Sequence, residues 1–279
     1  MDAAKKIDLC KTACDLRMGI IQEVYNAHSG HPGGSLSIAD IMTYLYFEKM
    51  NIRPQEPKWE NRDRLVLSKG HCAPALYAAL ALRGFFSTEE WNKLRHTGAL
   101  LQGHPDMKHI AGVDMTTGSL GQGISAACGM AKSGKIQNLP YHVYAILGDG
   151  EIQEGQVWEA AMFAAHQKLD NLCIVVDNNN LQIDGPITDV CSPYPIDEKF
   201  KAFGFHVICI DGHNFDQIEA AFDKALNIKG QPTAIIAKTV KGKNVSFMEN
   251  QVKWHGAAPN KEEYELAIAE LTKIKNELS

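Results

Sequence analysis

The sequence predicts an α/β protein, built as one domain around a mostly parallel sheet with helices on both faces. Three observations lead there. Apolar runs at 141–147, 172–177, 205–211 and 233–238 are continuous rather than alternating, the pattern of strands buried on both faces. Helical patterns separate them at 153–168 and 215–226, supplying the crossovers that parallel neighbours require. With 279 residues the chain can bury a sizeable core, as one large domain or two small ones.

In chain order, residues 4–27 come first, where Ile7, Cys10, Ala13, Leu16, Ile20 and Val24 recur at helical spacing. Glycines and Pro32 in residues 28–34 break that helix, and a second is expected over 36–50. A third follows Lys69-Gly70-His71, and another starts at Ser87, where Ser87 and Glu90 spell an S-x-x-E capping box. The strands and helices above follow. Residues 184–195 read as an irregular surface loop and 261–278 as a terminal helix. No internal repeat, low-complexity tract or linker interrupts the chain.

Composition excludes several classes. The chain is 45% hydrophobic and 22% charged with net charge −5, so no basic excess points to nucleic acid. Charges interrupt the first residues every few positions, which suits neither a signal peptide nor a membrane span. A cytoplasmic protein without a membrane partner is expected. Seven cysteines, none in C-x-x-C or zinc spacing, argue against a disulfide framework. Cys10, Cys14, Cys173 and Cys209 fall in helical or strand-like runs and are expected as buried thiols.

The chemistry begins where the run 143–147 ends in Gly148-Asp149-Gly150, shortly before a helix. Small glycines let a diphosphate approach the backbone, the helix N-terminus favours its charge, and Asp149 can hold a hard cation. The next strand ends in Asp177-Asn178-Asn179, which a parallel sheet brings to the same edge, so Asn179 is placed to add a second oxygen ligand. Gly-Asp-Gly alone is ordinary turn chemistry; its spacing from the paired asparagines gives the signal weight. The pattern resembles the diphosphate-binding motif of thiamine-diphosphate enzymes.

Further motifs narrow the resemblance. Ser29-Gly30-His31-Pro32-Gly33, the stretch 61–71 (NRDRLVLSKGH), Gly103-His104-Pro105, the stretch 117–123 (TGSLGQG), the stretch 148–155 (GDGEIQEG) and Trp254-His255-Gly256 resemble transketolase motifs, in transketolase order. The match covers essentially the whole chain, 1–279, as the N-terminal diphosphate-binding domain, with no segment resembling the pyrimidine-binding domain. The resemblance implies one subunit of a split transketolase, with a C-terminal partner chain in an α2β2 assembly and sugar phosphates as substrates. It implies thiamine diphosphate and Mg²⁺ as cofactors, with Ca²⁺ or Mn²⁺ able to substitute. Asp149 and Asn179 would ligate the metal through side chains and Leu181 through its carbonyl. Gly148 and Gly150 would approach the diphosphate, and Gly118 and Leu120 would face the aminopyrimidine. Ile183 would pack on the cofactor and Glu154 would meet the partner. His31, His71, His104 and His255 would surround the reacting carbons, with His71 and His255 also touching the cofactor. Imidazole suits that work, because ketol transfer moves protons at hydroxyl-bearing carbons near neutral pH. The other seven histidines, His213 among them, read as structural.

Two rivals share these features: the α subunit of a 2-oxo acid dehydrogenase, and a non-catalytic cofactor-binding remnant. The histidine loops argue against the first and the intact ligand set against the second. One motif is refused. Gly121-Gln122-Gly123-Ile124-Ser125-Ala126 fits the dinucleotide pattern G-x-G-x-x-A, but no buried strand precedes it and no acidic residue follows near twenty positions on. Lys69, Lys238 and Lys241 are candidate phosphate contacts, with solvated lysine the commoner reading of each.

Overall fold

The computed structural model describes residues 1–278. Helix α1 (Ala3–Ala27) leads into α2 (Pro32–Ser37) and α3 (Ala39–Tyr44), then β1 (Arg64–Leu67) and α4 (Ala73–Arg83). Next come α5 (Gln122–Gln137), β2 (Val143–Gly148), α6 (Gly155–His166) and β3 (Leu172–Asn178). A small antiparallel pair, β4 (Leu181–Gln182) and β5 (Gly185–Pro186), precedes α7 (Ile187–Cys191) and α8 (Ile196–Ala202). The chain finishes with β6 (His206–Asp211), α9 (Phe215–Asn227), β7 (Thr233–Lys238) and α10 (Lys261–Glu277).

Five strands form the main sheet in the order β1-β2-β3-β7-β6, all neighbours parallel. Alternate residues of each strand feed two cores. Tyr144, Ile146, Cys173, Val175 and Ile235 join one core with α1, α3, α4 and α9, whereas Val143, Ala145, Leu147, Ile174, Val176 and Ile236 join α5, α6 and α8. Both faces being apolar explains why these strands read as unbroken runs; each fully buried aliphatic side chain contributes roughly 1.5–3 kcal/mol. Parallel strands also align their carboxyl ends, and the register pairs Gly148 of β2 with Asp177 of β3.

Several expectations are corrected. The helix expected over 36–50 is broken at Ile38 and ends in a π-helical turn, Leu45–Lys49. Ser37 Oγ donates to the Gly34 carbonyl and to Asp177, competing with the regular ladder at the break. No capping box forms at Ser87. Its hydroxyl accepts from Glu89 N and the Glu90 carboxylate takes Lys93 instead, so only a 3₁₀ turn follows. The reciprocal box sits at Asn260 and Glu263, opening α10. Cys209 is exposed on the edge strand β6, and all seven thiols are free. Strand β1, helices α5 and α8 and the β4–β5 pair were not expected, and the stretch 184–195 read as an irregular loop holds β5 and helix α7. No helix among the described residues is long and apolar enough to cross a membrane.

Candidate active site

The carboxyl ends of β1, β2 and β3 open onto a cleft of about 430 Å³. Asp149, Gly148 and Gly150 enter it from the end of β2, and Asn179, Leu181 and Ile183 from the segment after β3. His31 comes from the α1–α2 turn, His71 from the turn before α4, and His255 from a 3₁₀ turn before α10. Gly118, Leu120 and Glu154 complete the wall. Every residue the sequence singled out therefore lines this cleft except Lys238 and His104, the latter sitting on a neighbouring groove with its ring against Gly118.

The three cleft histidines are mutual neighbours, with ring centroids 5.1 Å apart for His31–His71, 5.3 Å for His71–His255 and 5.5 Å for His31–His255. Burial pushes His31 down to about 4, with His71 and Arg95 adding to the effect. Burial and the Lys69 and Lys241 ammoniums bring His71 to about 4, and burial with Lys241 brings His255 to about 3. His104 is lowered by burial and by Arg95. All four are neutral at pH 7, each offering one donor and one acceptor nitrogen. Lys241 Nζ lies 2.9 Å from His255 Nδ1, and with Lys241 as an ammonium, which only donates, the proton of the neutral ring sits on Nε2.

The floor holds a buried polar network that sequence reasoning passed over. Asp177 accepts from Lys69 Nζ at 2.6 Å, Ser37 Oγ at 2.6 Å, Asn179 Nδ2 at 2.8 Å and also Thr239 Oγ1. Burial opposes its charge, but Lys69 and the hydroxyls overcome that and hold the carboxyl below its ordinary value. Glu151 accepts from Ser68 Oγ at 2.6 Å, Gly121 N at 2.9 Å and Gly148 N at 3.0 Å, tying three loops together. Both acids lie inside motifs of the sequence, Asp177 in Asp177-Asn178-Asn179 and Glu151 in the stretch 148–155, but neither motif by itself gives them these partners. Lys69 and Lys241 are each 2% exposed, so neither is a solvated lysine, whereas Lys238 lies outside the cleft and exposed. The pair Gly121 and Gly123 serves packing: Gly121 caps α5 at φ +80°, and a Cβ on Gly123 would lie 2.7 Å from Ser68 Cα.

Asp149 contrasts with Asp177. Among the described residues its oxygens accept only from Gly150 N at 2.9 Å and Asn180 N at 2.6 Å, and burial with Asp177 nearby pushes it up to about 7. Asn179 Oδ1 accepts from Leu181 N at 3.1 Å, and Lys241 Nζ sits 3.0 Å from the Leu181 carbonyl. Among the described residues no three His, Cys, Asp or Glu side chains gather into a metal cage. The donors that do converge are a carboxylate, an amide oxygen and a carbonyl, all hard oxygens, with an ammonium already drawn to one of them. Such a set fits a hard divalent cation that takes its remaining ligands from phosphate and water.

Residues 10–273 match the family model described as transketolase, thiamine diphosphate binding domain. The chain belongs to the transketolase family. Within the family it is 47% identical to a 6-deoxy-6-sulfo-D-fructose transketolase subunit of Clostridium sp. (strain MSTE9), over 96% of this chain and 98% of that one. It is 40% identical to an apulose-4-phosphate transketolase subunit of Phocaeicola vulgatus, over 92% of this chain and 91% of that one. Human transketolase is 44% identical, but the match takes 97% of this chain and only 43% of the human one. The crystal structure of Campylobacter jejuni transketolase superposes with a TM-score of 0.90 at 34% identity, again over 98% of this chain and 43% of that one.

Proposed function

We propose that this chain is the diphosphate-binding subunit of a two-chain transketolase, moving a two-carbon ketol group from a ketose phosphate to an aldose phosphate. The observation that carries the reading is the meeting, in one cleft, of the oxygen donors Asp149, Asn179 and Leu181 with three neutral histidines. Near full-length similarity to two relatives named as subunits supports a separate partner chain, which would supply the pyrimidine-binding domain in an α2β2 assembly. Seven free thiols go with a reducing, cytoplasmic setting.

Bound thiamine diphosphate would supply the electron sink for carbon–carbon cleavage. This chain's residues would do the rest. Asp149, Asn179 and the Leu181 carbonyl hold Mg²⁺, Gly148 and Gly150 leave room for the diphosphate, and Gly118 and Leu120 face the aminopyrimidine. Ile183, 62% exposed, covers the cofactor, and exposed Glu154 meets the partner. His71 and His104 hold the ketol hydroxyls, while His31 and the Nε2–H of His255 exchange protons with the cleaved or incoming oxygen.

The test is turnover of xylulose 5-phosphate with ribose 5-phosphate, thiamine diphosphate and Mg²⁺, with and without candidate partner chains. A second arm uses 6-deoxy-6-sulfo-D-fructose as donor, since a 47% identical relative is named for it. Activity is expected only with a partner present. Robust turnover by the isolated chain removes the two-chain reading; oxidative decarboxylation of a 2-oxo acid, or no activity with any transketolase-type partner, removes ketol transfer.

A further inference from the structure

Behind the loop that follows β7, a line of polar side chains runs from α1 to the cleft. Arg17 on α1 grips Asp40 on α3 with both terminal nitrogens, Nη1–Oδ1 at 3.0 Å and Nη2–Oδ2 at 2.6 Å. Asp40 Oδ2 lies 2.7 Å from Nδ1 of His213, and His213 Nε2 lies 2.9 Å from the backbone nitrogen of Val240. A backbone N–H only donates, so Nε2 accepts and Nδ1 carries the proton to Asp40. Burial opposes ionisation of Asp40, but Arg17 and His213 hold it well below its ordinary range, so it stays a carboxylate. Arg17 is 1% exposed and Asp40 6%.

The residue after Val240 is Lys241, and its ammonium makes the contacts at 3.0 Å to the Leu181 carbonyl and 2.9 Å to His255 Nδ1. The loop backbone is otherwise pinned by Thr239 N to Asn178 O, Gly242 N to Gly33 O and Asn250 N to Lys241 O. Among the described residues Val240 N meets no backbone carbonyl, so its position depends on the imidazole of His213.

We propose that His213, locked by the Arg17–Asp40 pair, is a positioning residue that sets Lys241 and through it the tautomer of His255. The inference rests on the ketol-transfer reading for its catalytic meaning, but its geometry is testable without turnover. Two substitutions divide the two bonds of the imidazole. In His213→Asn the side-chain amide overlies Nδ1, keeping a donor for Asp40 and losing the acceptor for Val240. In His213→Gln the amide oxygen overlies Nε2 and keeps that acceptor.

The experiment reads the His255 ring by ¹⁵N NMR on the labelled, folded chain, assigned with His255→Gln, alongside thermal melts and kinetics of the complex. Wild type is expected to show an unprotonated Nδ1 and a protonated Nε2. His213→Asn should move both resonances toward a tautomer mixture and lower kcat about 10-fold, the order typical of supporting partners, with His213→Gln near wild type in both. A wild-type His255 spectrum in His213→Asn, or the same change in both variants, overturns the proposal. If the spectra shift as expected but no complex turns over sugar phosphates, the positioning role stands and the ketol-transfer reading falls.

Discussion

Strands β2 and β3 run side by side and each delivers an aspartate to the same sheet edge, Asp149 just beyond β2 and Asp177 near the end of β3. Both are almost fully buried, at 2% and 0% exposure. Asp177 has its counter-charge within the protein, in Lys69, and four side-chain donors. Asp149 has two backbone N–H groups and no ion pair among the described residues. The same residue type at the same depth thus does two jobs. A carboxylate whose charge is answered inside the fold is part of the scaffold. One left with an unanswered charge at a cleft is, on the proposed function, where a cation would bind.

The largest effect should come from breaking the scaffold side. Asp177→Ala leaves Lys69 buried without its partner and should cost about 3–5 kcal/mol in denaturant unfolding. Asp149→Ala in the metal-free chain should be neutral or stabilising, because it removes a desolvated charge. Equal losses in both would end the distinction.

Next in size is catalysis. His255→Ala in the complex should lower kcat by about 10²–10⁴-fold with cofactor affinity nearly unchanged. His104, outside the cleft, should show part of its effect as raised KM. Normal kinetics in both variants, with only a lowered melting temperature, would leave the histidines with a merely structural role.

The cation side of the comparison is sharpened by titration calorimetry of thiamine diphosphate with Mg²⁺. Asp149→Ala and Asn179→Ala should each weaken binding by about 10–100-fold or more while the fold persists. Unchanged affinity in both would remove the metal assignment.

The smallest effect is a pH slope. Folding raises Asp149 from an ordinary 3.8 to about 7, so the native chain holds a proton that the unfolded chain has lost within that window. Stability of the metal-free chain should therefore fall as pH rises from about 4 to about 7, by at most about 1.4 kcal/mol per unit from this group. Asp177, lowered on folding, acts in the opposite sense: its contribution is present above its unfolded value and lost as pH falls through the folded one. Comparing wild type with Asp149→Asn isolates the first slope, and identical slopes in the two proteins would contradict it.

Legibility followed how local the physics was. β7 matched its expected span because a six-residue run buried on both faces needs only apolar side chains in a row. β1 escaped because it has four residues and follows Arg62 and Asp63, and α5 because Gly, Ser and Ala carry little periodic signal. The break at Ile38 was hidden because Ser37 answers to Asp177, 140 residues away. In the site, Gly148-Asp149-Gly150, Asn179 and the histidine loops were readable as contiguous motifs. Asp177, Glu151 and the burial of Lys69 were not, since their meaning lies in partners from other loops.

The sequence by itself determined the fold class, the edge of the sheet at which the cleft opens and the residue types brought there. Each follows from short-range patterns: apolar runs, glycines at strand ends, polar residues in loops. Only the tertiary structure decided which acid keeps its charge, which lysines are buried, that three histidines meet while His104 stands apart, and that His213 reaches the loop of Lys241. Those outcomes depend on desolvation and on hydrogen-bond partners far apart in the chain, and neither quantity exists until the strands have brought the loops together.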